Sequence, residues 1–162
     1  MLFGLWISRR RFYDSIFKVR KVGTVTNLAL RLWPDNVYED LIDEFKSLIH
    51  QDNQRVFLYH DNHLDVGFAH VSLRVDYVEG TETSLVGFLE GIFILPEYRN
   101  RGIVRALITA CEQFAKENGC TEFASDCELT NIDSILIHEK LGSEETNRIV
   151  CFKIVCFKKK IE

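Results

Sequence analysis

The chain has 162 residues, the length of one ordinary domain and too short for two. Hydrophobic residues make up 46% and charged residues 27%, which excludes a wholly disordered chain, while 9 Gly and 2 Pro exclude collagen-like and linker-rich architectures. The 20 Lys and Arg against 24 Asp and Glu leave a net charge of −4, so there is no global basic footprint for nucleic acid, and a polycationic partner suits the balance better.

Residues 1–24 stand apart, with Arg9, Arg10, Arg11, Lys18, Arg20 and Lys21 facing only Asp14 among several aromatics. They read as an N-terminal extension or first element, a strand or helix ordered in part, with a nucleic-acid or membrane-surface arm as the other reading. The rest, residues 25–162, reads as the working domain. An apolar start followed by arginines reverses the order of a secretory signal, so export is not expected. No run of about 18 apolar residues is present to span a membrane. Five cysteines, Cys111, Cys120, Cys127, Cys151 and Cys156, are odd in number and form no CxxC pair or zinc-finger spacing. They are expected to be reduced thiols of a cytoplasmic protein, with no metal.

Within residues 35–50 the apolar positions Val37, Leu41, Ile42, Phe45, Leu48 and Ile49 recur at three- and four-residue steps, the period of an amphipathic helix. Residues 55–59 and 64–77 are β-branched and aromatic runs around the turn-like His60-Asp61-Asn62-His63 and predict a hairpin. Residues 86–95 (VGFLEGIFIL) predict a strand that must stop at Pro96. A helix follows Gly102, with Ile103, Ala106, Leu107, Ala110, Cys111 and Phe114 on one face and Asn118-Gly119 as its stop. Residues 121–127 predict a strand, residues 131–141 a helix ended by Gly142, and residues 148–157 a closing strand or hairpin. The strand–helix alternation of the second half implies a mixed sheet with helices on its faces.

The junction Arg99-Asn100-Arg101-Gly102-Ile103-Val104 lies between a strand and a helix. Glycine admits close backbone approach, and a helix's first turn presents unpaired N–H groups with partial positive charge. With Arg99, Arg101 and Arg105 this makes a cradle able to hold a pyrophosphate, although an ordinary strand-to-helix turn looks similar.

Arg99-x-x-Gly102-x-Val104 resembles, in all but its last position, the Arg/Gln-x-x-Gly-x-Gly/Ala cofactor loop of the GNAT superfamily of acetyl-CoA-dependent N-acetyltransferases. A second element of that superfamily is echoed by Asn131, Ser134, His138, Lys140, Leu141 and Gly142, with Ser143 where an aromatic is usual. The resemblance implies an α/β (α+β) fold: a mixed, mostly antiparallel central sheet, flanked by helices, whose central strands 86–95 and 121–127 splay apart. It implies that the pantetheine arm of acetyl-CoA enters that gap against the backbone of Ile92, Phe93 and Ile94. Asn100, Arg101, Gly102, Ile103, Val104 and Arg105, with Arg99, would hold the pyrophosphate, and Asn131 is counted with the cofactor-binding residues.

The segments 76–84, 88–92 and 122–126, with Leu32-Trp33-Pro34-Asp35, are more narrowly similar to the aminoglycoside 6'-N-acetyltransferases, over roughly residues 28–158. What this implies is acetylation of the 6'-amine of aminoglycoside antibiotics by direct attack in a ternary complex, by an enzyme expected to be a homodimer. The alternatives are a GNAT acting on a polyamine or a peptide N-terminus, and a non-catalytic acyl-CoA-binding module. Charge supports a cationic acceptor independently: residues 76–90 carry Asp76, Glu79, Glu82 and Glu90, and residues 121–133 carry Glu122, Asp126, Glu128 and Asp133, without one Lys or Arg.

An ammonium must lose a proton before its nitrogen can attack a thioester. Glu90 is the candidate base, directly or through water, because a charge in an apolar strand is costly without a purpose. Asp126 is the candidate anchor for the substrate amine and the alternative base. Backbone N–H near Ile94 would stabilise the oxyanion. By resemblance His138 stands where a proton donor to the departing thiolate is usual, or is simply a helix-face histidine capping a neighbour. Trp33, Tyr77 and Glu79 are candidates to border the acceptor, and the two aromatics read equally as core residues.

Overall fold

Val22, Val25, Leu28 and Ala29 recur every three or four residues and are buried along one side of helix α1 (Val22–Leu32) in the computed structural model, which describes residues 12–13, 21–48 and 50–149. The sequence expectation left residues 1–24 as an extension or a first element, strand or helix, and named no helix over residues 25–32. The expected boundary after residue 24 falls inside α1, although the apolar spacing that builds the helix is plain in the sequence. Helix α2 (Tyr38–Leu48) lies within the expected 35–50 segment and buries Leu41, Phe45 and Leu48.

The chain divides into two compact units, residues 1–126 and residues 127–162. The first holds a five-stranded sheet in the order β1 (Phe12–Tyr13), β2 (Gln54–Asp61), β3 (Leu64–Arg74), β4 (Val86–Ile94), β5 (Glu122–Ser125). The first three pairings are antiparallel and β4–β5 is parallel. The β2–β3 hairpin closes through Asn62 and His63, both at positive φ (44° and 80°), the backbone twist that a two-residue turn between antiparallel strands requires.

Edge-to-face contacts of Phe68 with Trp33 and Phe45, and of His70 with Phe45, seat α1 and α2 on one face of the sheet. Helix α3 (Ile103–Glu117) covers the other, close enough that a Cβ on Gly87 would sit 2.4 Å from that of Ala115. Phe45, Phe68, Leu58 and Leu107 are the largest wholly buried side chains. Burial at about 25 cal/mol per Å² of apolar surface makes such residues the main source of stability.

Two strands are shorter than expected. The 64–77 run stops pairing at Arg74, so Tyr77 projects from a loop, and the 121–127 run pairs only over Glu122–Ser125, so Asp126 lies past its end. In the second unit, helix α4 (Ile132–Leu141) starts where Asn131 Oδ1 accepts the Ser134 N–H at 3.1 Å and stops at Gly142, φ 94°. The expected closing element, 148–157, shows no strand at Arg148 and Ile149, and its remainder lies outside the described residues.

Candidate active site

Strand β4 is registered on β3 with one residue to spare. His70 faces Gly91 and Val71 faces Leu89, so Glu90 is the extra residue of a β-bulge. Strict alternation would send the side chains of residues 90 and 91 to opposite faces. The bulge breaks that alternation and puts both positions on the α1 side, where Gly91 meets Trp33 and Leu32 and Glu90 meets Ser72 and Arg74. Bulges commonly re-aim a side chain beside a functional site.

A charge left unpaired in an apolar strand is costly, and Glu90 has partners. Arg74 Nη2 donates to Oε2 at 2.7 Å and to Oε1 at 2.9 Å, Arg74 Nε donates to Oε1 at 3.1 Å, and the Ser72 hydroxyl also donates to Oε1. The guanidinium lies over the Phe88 ring, 3.5 Å from its centroid. Next along β3, His70 donates from Nε2 to Gln54 Oε1 at 2.8 Å. Burial pushes His70 down to about 4, against an opposing pull from Glu90, so the ring is neutral at ordinary pH. Arg74 and Ser72 were missed in the sequence because their relation to Glu90 exists only across a strand pair.

The second feature is an open strand edge. Pairing between β4 and β5 ends at Leu89–Ser125, and no described strand accompanies β4 beyond it. Leu95 N–H donates to Val66 O at 2.8 Å, toward β3. Backbone direction alternates along a strand, so Phe93 and Gly91 also address β3 while Ile92 and Ile94 address the open edge. Of the three backbones expected to hold pantetheine, Phe93 is thus turned the other way.

The edge leads through the 3-10 turn Pro96–Tyr98 to the N-terminus of α3. Asn100 (φ 60°) and Gly102 (φ 78°) are both left-handed there, at the positive end of a 15-residue helix, a backbone form that suits an anion. A Cβ on Gly102 would meet nothing within 4 Å, so the cradle is open in front of the backbone. Asn100, Arg101 and Arg105 are exposed beside it, Val104 is half-buried, and Ile103 is buried as the helix's anchor. Arg99 Nε donates to Ile94 O at 3.2 Å and Arg101 Nη2 to Glu97 O at 2.8 Å, contacts that leave other guanidinium N–H groups of each for an anion. An open edge ending in a cationic cradle fits an extended molecule with a diphosphate, as acetyl-CoA is.

The remaining sequence candidates separate. Trp33 is half-buried against Gly91 and Phe68. Tyr77 is 79% exposed, not a core aromatic, and donates to Glu79 Oε2 at 2.8 Å, a bond that raises its hydroxyl above the usual value. Asp126 is exposed rather than set in an apolar strand. Glu122, one of the acids expected to attract a cation, instead accepts the backbone N–H groups of Glu82 and Thr83 (3.0 and 2.7 Å) and the Thr83 hydroxyl, which lowers its carboxyl below the usual range. In the second unit, His138 Nδ1 donates to the Ser134 carbonyl at 2.8 Å, leaving Nε2 buried and without a partner among the described residues.

Among the described residues there is no group of His, Cys, Asp and Glu able to hold a metal ion, and no helix long and apolar enough to cross a membrane. Cys111, Cys120 and Cys127 are free thiols.

The sequence model described as "Acetyltransferase (GNAT) family" matches residues 22–143. The aminoglycoside N(6')-acetyltransferase type 1 of Acinetobacter baumannii is 47% identical over 130 residues, 78% of this chain and 88% of that protein. Its namesake in Salmonella typhimurium is 36% identical over 129 residues, covering 80% and 89%. Among solved structures, AAC(6')-Iy with the bisubstrate analog CoA-S-monomethyl-acetylneamine superposes with a TM-score of 0.81 at 34% identity, over 85% of this chain and 93% of that one. AAC(6')-Ih from Acinetobacter baumannii does so with a TM-score of 0.80 at 41% identity, over 86% and 95%.

Proposed function

The chain belongs to the acetyltransferase (GNAT) family, and we propose that it transfers the acetyl group of acetyl-CoA to the 6'-amine of aminoglycoside antibiotics, conferring resistance to them. The observation that carries this reading is a carboxylate set by a bulge beside the one stretch of β4 whose edge is open and runs to an anion cradle. That arrangement supports a reading in which an acylated pantetheine and a cationic amine meet at neighbouring places on one strand.

Acetyl-CoA supplies the activated acyl group, a thioester. Ile92 and Ile94 bind its extended arm through backbone groups at the edge, and Asn100 to Arg105, with Arg99, bind its diphosphate through the first-turn N–H groups of α3 and the guanidinium groups. The Ile94 N–H donates toward the thioester oxygen as negative charge builds there. Glu90 accepts the proton of the acceptor ammonium, directly or through one water, so that the nitrogen gains a lone pair. Asp126, with Tyr77, Glu79 and the edge of Trp33, orients the remaining ammonium groups of the polycation, and Asp126 is the alternative base. The resemblance alone gives His138, in the second unit, the role of returning a proton to the leaving thiolate. Asn131, counted by resemblance with the cofactor-binding residues, caps α4 within the second unit.

The proposal includes a homodimer in a reducing cytoplasm. Static light scattering tests the first. The function is tested by release of free CoA thiol from acetyl-CoA with kanamycin, a polyamine and a peptide as acceptors, and by NMR of the product. Turnover with kanamycin and acetylation at the 6'-nitrogen are expected. Turnover with the polyamine or peptide alone overturns the acceptor, and cofactor binding without any turnover overturns the enzyme.

A further inference from the structure

The partner of Glu90 poses a chemical conflict that the transfer reaction must resolve. A carboxylate engaged by a guanidinium through three N–H···O contacts already faces one cation, and the acceptor ammonium arrives as a second at the same oxygens. Oε1 already receives Ser72 and two guanidinium contacts, whereas Oε2 receives Arg74 Nη2 alone. A carboxylate offers about four lone-pair directions, so Oε2 has room for a newcomer.

Arg74 can leave. It is the last residue of β3, its side chain is 40% exposed, and a surface-accessible ion pair is weak. Its flat face rests on Phe88, a contact that needs no carboxylate and allows rotation away from Glu90. The other titratable group beside Glu90 is His70, neutral at working pH. On the same face α1 carries Arg31, over the Phe93 ring at 5.5 Å, and Asp126 follows β5.

We propose that Arg74 is a displaceable counter-ion of the acceptor site: it holds Glu90 in the free enzyme, the reacting ammonium replaces it, and it thereby sets acceptor affinity. This rests on Glu90 being the base. Arg74 is a positioning residue that acts through Glu90. An amine must exchange for a guanidinium to enter, which favours polycations whose further ammonium groups bind elsewhere and disfavours monoamines.

The test is steady-state kinetics of wild type, Arg74→Gln and Arg74→Lys with kanamycin from pH 5.5 to 9. Removing the cation in Arg74→Gln should lower the KM for kanamycin at pH 8 by about threefold or more. The KM for acetyl-CoA should stay put. Arg74→Lys, which keeps a cation at the end of β3, should hold the KM for kanamycin closer to its wild-type value. A KM for kanamycin that rises or stays level in Arg74→Gln overturns the proposal.

A second reading needs no folded Gln variant. The ¹⁵N Nε–H resonance of Arg74, assigned by its absence from Arg74→Lys, should shift when kanamycin binds the wild-type enzyme and not when acetyl-CoA binds alone. An unmoved resonance in the kanamycin complex overturns the displacement. Glu90→Gln separates the two readings: undiminished turnover in that variant removes Glu90 as base, whereas lost turnover there with an unresponsive Arg74 removes only the counter-ion.

Discussion

Trp33, at the end of α1, lies so close to Gly91 of β4 that a Cβ on the glycine would sit 2.5 Å from its ring carbon Cζ2. Residue 91 follows the bulge, so the indole rests beside the residue that aims Glu90. Gly91→Ala should destabilise the fold by about 2 kcal/mol, since neither the ring nor the sheet can yield cheaply. In Trp33→Ala the same substitution should cost clearly less, a coupling of about 1 kcal/mol or more by urea unfolding. Additive effects would show that the contact is not the cause.

The cofactor cradle makes two separable demands on Gly102. Its φ of 78° strains any L side chain, while the space before it is open. Gly102→Ala should therefore fold with a loss of about 1 kcal/mol and retain measurable acetyl-CoA affinity. Gly102→Asp should fold equally well and lose affinity by on the order of 100-fold, because an anion enters the place of a phosphate. Calorimetric titration with acetyl-CoA distinguishes them, and equal affinity in the two variants would remove the phosphate from this turn.

Glu90 and Asp126 should fail differently. Glu90→Gln keeps the size and removes the basicity, so kcat should fall by about 100-fold with the KM for acetyl-CoA unchanged. Asp126→Asn removes one charged hydrogen bond to the polycation and should chiefly raise the KM for kanamycin, at a cost of about 2 kcal/mol. Kinetic constants for both across pH 6 to 9 decide the assignment, and a wild-type pH profile in Glu90→Gln would transfer the role of base to Asp126 or to water.

His70 is held down to about 4 by burial, while an unfolded histidine titrates near 6.5. The unfolded chain therefore takes up a proton below about pH 6.5 that the native protein refuses, and the stability linked to His70 is complete above that pH and drains away as the pH falls toward 4. The loss should total about 3 kcal/mol. Urea unfolding at pH 7, 6, 5 and 4 should show this decline in wild type and a shallower one in His70→Gln. Parallel curves for the two proteins would refute a buried neutral ring.

What the sequence alone determined are features written within a few residues of one another. Apolar spacing placed α2 and α3, Pro96 ended β4, Asn131 and Gly142 bracketed α4, and Arg99-x-x-Gly102 marked the cradle, because helix faces, caps and left-handed turns depend on neighbours in the chain. Spacing also marks α1, where a basic, aromatic neighbourhood obscured the period of Val22, Val25 and Leu28. Only the tertiary structure decided the bulge at Glu90, its pairing with Arg74 16 residues away, the packing of Trp33 on Gly91, and the point where β4 and β5 part. Strand register couples residues distant along the chain, and a one-residue slip sends a side chain to the other face, so no local pattern encodes which oxygen meets which guanidinium.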